Sequence, residues 1–439
     1  MHKTAIRSCL PRGYNLPAGP DQARATAARL LSAVVFDGRT SDQALARYPS
    51  DPLGREMFYG AMRHHLTLAA DVNAALVKPL REKDRDIWSL LIVGAYQLGY
   101  MRIPDHAAIN ETVSACKLLK RPWLRGLTNG VLRSIQRAHT NTERSLEAEF
   151  PQWINERVRR DYPDRADAIT VANLSRAPLI VRINLKRTSA SEYQASLAAA
   201  GIGYQVVFRP EHLVLDEAMP AESLPGFDAG LVAIQDAGAG FAATILEAGP
   251  GARVLDACAA PGGKLFHLME RREDIQALAL DKSADRLQHL QLEAARLGHR
   301  PETLTGDAGD LDWWDTTEFD AILVDAPCSG SGTLRRHPDI KLLRHQADLD
   351  DYASLQLQLL TNLWRTLRPG GSLLYCTCSL FTEENDAIVA DFLAATDDAG
   401  VKDISLPTGI PRKFGWQLLP TDRNTDGFYF CLLNKLVTH

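Results

Sequence analysis

The stretch Arg253-Val-Leu-Asp-Ala-Cys-Ala-Ala-Pro-Gly-Gly-Lys264 reads as a short apolar strand, Arg253 to Asp256, that runs into a tight loop of small residues and opens a helix. Further strand-like runs follow at Ala277 to Asp281, Thr303 to Asp307, Ala321 to Asp325 and Ser372 to Cys376, with helical spacing between them. Such alternation predicts a doubly wound α/β domain with a parallel sheet, in which ligands bind outside the carboxyl ends of the strands. Four of these strands end on an aspartate: Asp256, Asp281, Asp307 and Asp325. One carboxylate there can simply cap the next helix, whereas four together predict a binding rim.

Three ligand classes compete for the loop. A phosphate-binding P-loop needs Gly at 258 and Ser or Thr at 265, where the chain has Cys258 and Leu265. The G-x-G-x-x-G of a dinucleotide site is absent, and the loop has no obvious seat for a pyrophosphate. Asp281, however, follows Gly262 at about the separation (~20 residues) at which a carboxylate meets ribose hydroxyls. That combination fits a nucleoside lacking a diphosphate, such as S-adenosyl-L-methionine, with Asp307 beside the adenine.

Two cysteines stand at neighbouring strand ends, Cys328 in Asp325-Ala-Pro-Cys-Ser-Gly-Ser-Gly-Thr333 and Cys378 in Tyr375-Cys-Thr-Cys-Ser379. If the strand continues, alternation puts Cys376 and Cys378 on one side, with Cys378 nearer the loop where a substrate sits. Zinc would use cysteines too, but the paired C-x₂-C spacing is missing, and no metal is expected. Cys9, Cys116, Cys376 and Cys431 suit small buried hydrophobes. Two thiols and an aspartate beside a methyl donor fit methylation at C5 of a pyrimidine. That carbon becomes nucleophilic only after a thiolate adds to C6. An acid such as Asp325 would relieve the charge at N3, and a second thiol, Cys328, would help release the product. The target base must be unpaired or flipped out.

Outward from this region, the 439 residues imply about three domains at roughly 150 residues each. With 45% hydrophobic and 23% charged residues, 30 Gly and 23 Pro, the chain is globular rather than fibrous or disordered. Its longest apolar stretch, Ile87 to Met101, is too short and too interrupted to span a bilayer. Residues 1–20 carry Lys3, Arg7 and Arg12 but no apolar core, so we expect a disordered leader rather than a signal peptide and a cytoplasmic location. Seven cysteines without a secretory signal favour reduced thiols.

The net charge of −5 hides an asymmetry. Residues 1–140 hold 20 Lys and Arg against 11 Asp and Glu. Lys117, Lys120, Arg121, Arg125, Arg133 and Arg137 follow one another without a carboxylate between them, a field suited to phosphate contacts. Helical spacing runs from Arg24 to about Ala138, with breaks at Pro49 to Gly54, Lys78-Pro79, Ile103-Pro104 and Arg121-Pro122. We therefore expect a helical domain over 21–140, a small α+β module over 150–228 and the doubly wound domain over 229–439.

Asp256 to Lys264, Asp325 to Thr333 with Arg335-Arg-His-Pro-Asp339, Thr377-Cys-Ser379 with Glu383-Glu-Asn385, and Asp426-Gly-Phe428 together resemble the RNA cytosine-5 methyltransferases. In the front domain, Tyr59-Gly-Ala-Met-Arg63, Tyr96-Gln-Leu98, Ile103-Pro-Asp-His-Ala-Ala108, Asn110-Glu111 and Asn129-Gly-Val-Leu-Arg133 look like a NusB-like RNA-binding domain. Together they narrow the resemblance to the bacterial 16S ribosomal RNA methyltransferases of the Sun/Fmu family. Arg182 and Asn184 match the Arg-x-Asn element that precedes the catalytic domain there.

The resemblance implies a Rossmann-like methyltransferase domain that uses S-adenosyl-L-methionine, with Cys378 as nucleophile and Cys328 aiding release. It implies a cofactor site of Cys258, Ala259, Ala260, Pro261, Gly262, Gly263 and Lys264 with Asp281, Asp307 and Asp325. The implied partner is small-subunit ribosomal RNA, unassembled or partly assembled, with no membrane and no obligate protein partner. Transfer RNA and large-subunit RNA are alternative substrates, and a noncatalytic RNA-binding or antitermination factor is the alternative from another class.

Overall fold

A computed structural model describes residues 19–138, 145–272, 274–422 and 425–437. The leader up to residue 18, Cys9 and the connector at 139–144 lie outside the described residues. The chain divides into two compact units, residues 1–152 with 337–343, and residues 153–336 with 344–439.

The first unit is all helical: α1 (Pro20–Val35), α2 (Ser41–Arg47), α3 (Pro52–Arg63), α4 (His65–Ala75), α5 (Arg85–Tyr100), α6 (Asp105–Leu118) and α7 (Arg125–Ala138). Pro20 opens α1, where a missing N–H costs nothing, and Ala27, Leu30, Leu31 and Val34 recur at helical spacing to form its buried face. That face packs on α3, α5 and α6. Thr40 caps α2 through a capping box with Gln43, and Asp51 caps α3 through Gly54 N. Gly60 admits Tyr96, because a Cβ there would lie 1.9 Å from the ring. One break escapes sequence reading: the backbone turns at His64, between α3 and α4, with no Gly or Pro to mark it.

The second unit continues with α8 (Gln152–Asp161), α9 (Ala166–Leu174), β1 (Ile180–Ile183), α10 (Ala190–Ala199), β2 (Tyr204–Val207), β3 (Arg209–Leu215) and β4 (Val232–Ile234). These strands form an antiparallel sheet in the order β2-β3-β1-β4, which takes in residues past 228. Then come α11 (Ala242–Ile245), β5 (Arg253–Asp256), α12 (Gly263–Arg271), β6 (Gln276–Asp281), α13 (Ala284–Leu297), β7 (Glu302–Thr305) and β8 (Phe319–Asp325). After α14 (Ile340–Leu343), which belongs to the first unit, the second unit closes with α15 (Asp348–Thr366), β9 (Leu367–Thr377), α16 (Asp386–Ala394), β10 (Ala399–Lys402), β11 (Ile410–Pro411), β12 (Trp416–Leu418) and β13 (Phe428–Lys435).

The large sheet has the order β11-β12-β13-β9-β8-β5-β6-β7, with β10 also paired to β13. Strands β5 to β9 are parallel, as the alternation predicts. Sequence reading missed the antiparallel extension through β10, β11, β12 and β13. Both faces are covered. Leu255, Ile322 and Leu373 point into one apolar layer, while their neighbours Val254, Ala321 and Leu374 point into the other. Strand order reverses at β5, whose neighbours are β6 and β8, so the crevice for a ligand lies at their carboxyl ends. Among the described residues no helix is long and apolar enough to cross a membrane.

Residues 337–343 belong to the helical unit despite their late position in the chain. Asp339 accepts hydrogen bonds from Ser41 N at 3.1 Å and Ser41 Oγ at 2.6 Å. The buried Lys341 ammonium donates to Glu149 O at 2.7 Å and to Arg63 O. Burial pulls the Lys341 pKa down to about 7.

Candidate active site

The loop after β5 is built for close approach. Gly262 takes a φ of +102° at the start of α12, and a Cβ there would collide with Phe266. The fully buried Arg182 secures the helix start, donating to Gly263 O at 2.8 Å, Gln235 Oε1 at 2.6 Å and both Glu270 oxygens. Asn184 Nδ2 reaches Gly230 O at 3.1 Å and Leu297 O at 2.9 Å. The Arg-x-Asn element thus ties the small sheet to the loop's support.

A cavity opens at the ends of β5 and β6, lined by Cys258, Asp281, Lys282, Arg286, Asp307 and Pro327. Asp281 accepts from Ala260 N at 3.2 Å and Ser283 N at 3.0 Å and pairs with Arg286 at 3.0 Å. Asp307 needs a correction, because β7 stops at Thr305 and the carboxylate sits in the following loop, accepting from Gly309 N at 2.8 Å. Gly306 marks the departure, since a Cβ there would lie 2.9 Å from Trp313. Of the expected cofactor residues, Ala259 and Ala260 are buried, Pro261 is exposed, and Asp325 is not among the residues that line this cavity and pairs with Lys264.

The two thiols meet. Cys328 Sγ lies 3.4 Å from Cys378 Sγ. Strand β9 ends at Thr377, so Cys376 stays in the ladder, buried against Val324 O, while Cys378 leaves it and is half-buried. The bond to Cys378 and burial push the Cys328 thiol up, so it keeps its proton and can donate toward Cys378. Asp325 accepts from Lys264 Nζ at 2.5 Å. Burial works against the Lys264 charge, but Asp325 together with the neighbouring Cys376 and Cys378 pushes its pKa up and the ammonium is held. Lys264 Nζ also lies 5.4 Å from the Phe428 ring centre.

Two further clusters brace the loops. Arg335 Nε donates to Asp426 at 2.5 Å, and Arg336 bridges Asp426 and Asp236, the latter at 2.8 Å. Gly427 N donates to Gly332 O at 2.8 Å, at an approach that a Cβ on Gly332 would prevent. The second cluster gathers on Glu384, which is fully buried and accepts from Ser329, Ser379 and Gln356. Among the described residues no group of His, Cys, Asp and Glu is arranged to hold a metal.

Comparison with known proteins follows the same three blocks. The NusB family matches residues 21–137, an RsmF/B-like ferredoxin-like domain matches 150–222, and 16S rRNA methyltransferase RsmB/F matches 243–434. The probable ribosomal RNA small subunit methyltransferase B of Coxiella burnetii is 39% identical over 94% of this chain and 99% of its own. The ribosomal RNA small subunit methyltransferase B of Pseudomonas putida is 40% identical over 94% and 98%. The chain belongs to the RsmB/F family of 16S rRNA methyltransferases. The crystal structure of PH0851 shares the fold over 96% of this chain and 100% of its own, at 22% identity and a TM-score of 0.82. NSun6 from Pyrococcus horikoshii with SFG shares it over 66% and 99%, at 20% identity and 0.59.

In this RsmB/F protein the six cations expected to meet RNA are not equivalent. Lys117, Lys120 and Arg125 are exposed where α6 gives way to α7. Arg121 is instead tied down, donating to Asp84 at 3.0 Å and to Lys83 O at 2.6 Å. Asp84 is only 1% exposed, so this pair is structural. Arg133 bonds Gln136 at 3.1 Å, and Arg137 is exposed on α7. Sequence reading also missed Trp123, which is 63% exposed between Arg121 and Arg125. It missed Lys282, Arg286 and Pro327 in the cavity as well. Arg286 had no helical-spacing signal, because Asp281 ends β6 while Arg286 lies in α13.

Proposed function

We propose that this RsmB/F methyltransferase transfers a methyl group from S-adenosyl-L-methionine to C5 of a cytosine in small-subunit ribosomal RNA through a covalent Cys378–C6 adduct. The observation that carries the reading is the pair of thiols 3.4 Å apart beside the Asp325–Lys264 ion pair, with Pro327, next to Cys328, lining the aspartate-rimmed cavity. The cofactor fits that cavity by its donor set. Asp281 suits ribose hydroxyls, Asp307 suits the adenine side, and the glycines of the loop allow close approach. When bound, the cofactor supplies an electrophilic methyl on a sulfonium.

The chain's own groups do the rest. Cys378 thiolate adds to C6, breaking the C5–C6 double bond and moving an electron pair toward C5. Asp325 in its acid form donates a proton to N3 as negative charge spreads into the ring, with Lys264 balancing the carboxylate left behind, and takes that proton back once C5 is methylated. After C5 is methylated, a solvent water takes up the C5 proton, the electron pair of that C–H bond restores the C5–C6 double bond, and Cys378 sulfur is expelled as thiolate. Cys328, which keeps its own proton, stands within reach to protonate the departing thiolate. Lys117, Lys120 and Arg125 suit RNA phosphates, and Trp123 offers an aromatic face to an unpaired base.

The test is methyl transfer from labelled cofactor to unmodified small-subunit ribosomal RNA, beside transfer RNA, with nuclease digestion and mass spectrometry. The expected product is 5-methylcytidine in the ribosomal RNA alone. Label in transfer RNA would keep the chemistry and overturn the substrate; no label in any RNA, despite tight binding, would favour a noncatalytic RNA-binding factor. Cys378→Ala should lower transfer by at least about 10³-fold.

A further inference from the structure

The two thiols sit on separate loops, one after β8 and one after β9. The ladder between those strands ends at the Asp325–Cys376 pair, before either reacting thiol is reached. Beyond it, their separation depends on bonds between the loops. Two of these are backbone anchored: Gly332 N donates to Cys378 O, and Leu380 N to Ser331 Oγ, both at 2.9 Å.

Ser331 Oγ and Ser329 Oγ also lie 3.1 and 3.4 Å from Ser379 Oγ, and the remaining bonds converge on one side chain. Glu384 Oε1 accepts from Ser329 N at 2.7 Å and Gln356 Nε2 at 3.3 Å, and Oε2 accepts from Ser329 Oγ and Ser379 Oγ, each at 2.5 Å. Ser329 follows Cys328, and Ser379 follows Cys378. One carboxylate therefore grips the residue after each thiol.

Its environment is costly for a carboxylate. Glu384 is fully buried, and no ion pair with a cation is formed among the described residues. Burial pushes its pKa up, and the hydrogen bonds oppose that. Such a group persists only where its acceptors are filled, and an acceptor-only side chain with two oxygens can hold four donors at one point. Tyr375 OH and Asn385 fix the same turn: Tyr375 donates to Glu384 O at 2.6 Å and Asn385 Nδ2 donates to Ser379 O at 3.1 Å.

We infer that Glu384 is the positioning residue of the thiol pair, its carboxylate holding Ser329 and Ser379 so that Cys328 and Cys378 face each other at reacting distance. The consequence for methyl transfer rests on the function proposed above, but the spacing can be measured without RNA or cofactor. The full-length protein would be equilibrated with reduced and oxidised glutathione, and the Cys328–Cys378 disulfide quantified by peptide mapping. The equilibrium ratio gives the effective concentration of one thiol at the other.

Glu384→Gln should lower that concentration about tenfold, and kcat for RNA methylation about 100-fold, with KM for RNA within about twofold. If Glu384→Gln does not fold, Ser329→Ala and Ser379→Ala each remove one hydroxyl donor while leaving the carboxylate, and each should lower both quantities about threefold. Wild-type effective concentration in these variants overturns the inference, whether or not kcat falls. A wild-type protein that methylates no RNA would defeat the proposed function, while the glutathione equilibrium would still decide the role of Glu384.

Discussion

Asp256 closes β5 with a carboxylate that is almost wholly buried and whose Oδ1 has no hydrogen-bond partner among the described residues. Burial, then the charge of Asp325, pushes its pKa up to about 7, and Lys264 only partly opposes this. The folded protein therefore keeps a proton that the unfolded chain sheds near pH 3.8. The associated stability is intact below that value and lost as pH rises through about 7. Asp256→Asn should accordingly melt higher than wild type by an amount that grows between pH 4 and pH 7 and levels off above, reaching roughly 2–4 kcal/mol. Paired thermal melts across that range would check it, and a constant difference would refute it. Cys328 carries a second expectation. If it aids release, Cys328→Ala should accumulate a covalent protein–RNA complex, seen as a slow band on a denaturing gel that disappears with Cys378→Ala; a clean loss of activity without that band would assign Cys328 to an earlier step.

At the scale of elements, the strand ends were readable because a parallel sheet places its ligand groups at one edge. Asp256, Asp281 and Asp325 are the last residues of β5, β6 and β8. The thiol pair was readable as motif and spacing, but Glu384 was quoted only as part of a motif, because its partners come from three separate segments that only folding assembles. The antiparallel strands were missed for a simpler reason: Phe428 to Leu433 is a continuous apolar run whose periodicity does not distinguish strand from buried helix. The basic stretch misled in the same way, because Arg121 finds its carboxylate 37 residues earlier, at Asp84. The cations therefore divide by role. Replacing Lys117, Lys120 and Arg125 with Gln should weaken RNA binding and reduce its salt slope by up to about 3, while leaving the melting temperature unchanged. Arg121→Ala should instead cost about 1–3 kcal/mol of stability, because it removes a donor from a buried carboxylate. Salt titrations and melts on both variants would separate the two roles, and a reversed pattern would refute the division.

For the whole molecule, the domain order along the chain is not a partition of it. Residues 337–343 return to the helical unit, where Asp339 satisfies Ser41 and Lys341 satisfies two backbone carbonyls. Asp339→Ala should therefore destabilise the helical unit by about 1–3 kcal/mol, since Ser41 N and Oγ lose their acceptor in a buried setting. Amide exchange in α2 and α3 would register it, and unchanged protection there would refute it. The sheet has a further consequence, for aggregation. Its outer strands are poor templates for another chain: β7 follows Pro301 and is four residues long, β11 is two residues and contains Pro411, and β10 ends on Lys402. The hazard lies inside. Phe428 to Leu433 of β13 is aromatic, uncharged and flanked on both sides by paired strands. Proteolytic excision of β10 to β12 that spares β13 would expose that run as a sticky strand, whereas a truncated transcript, which loses β13 first, would not.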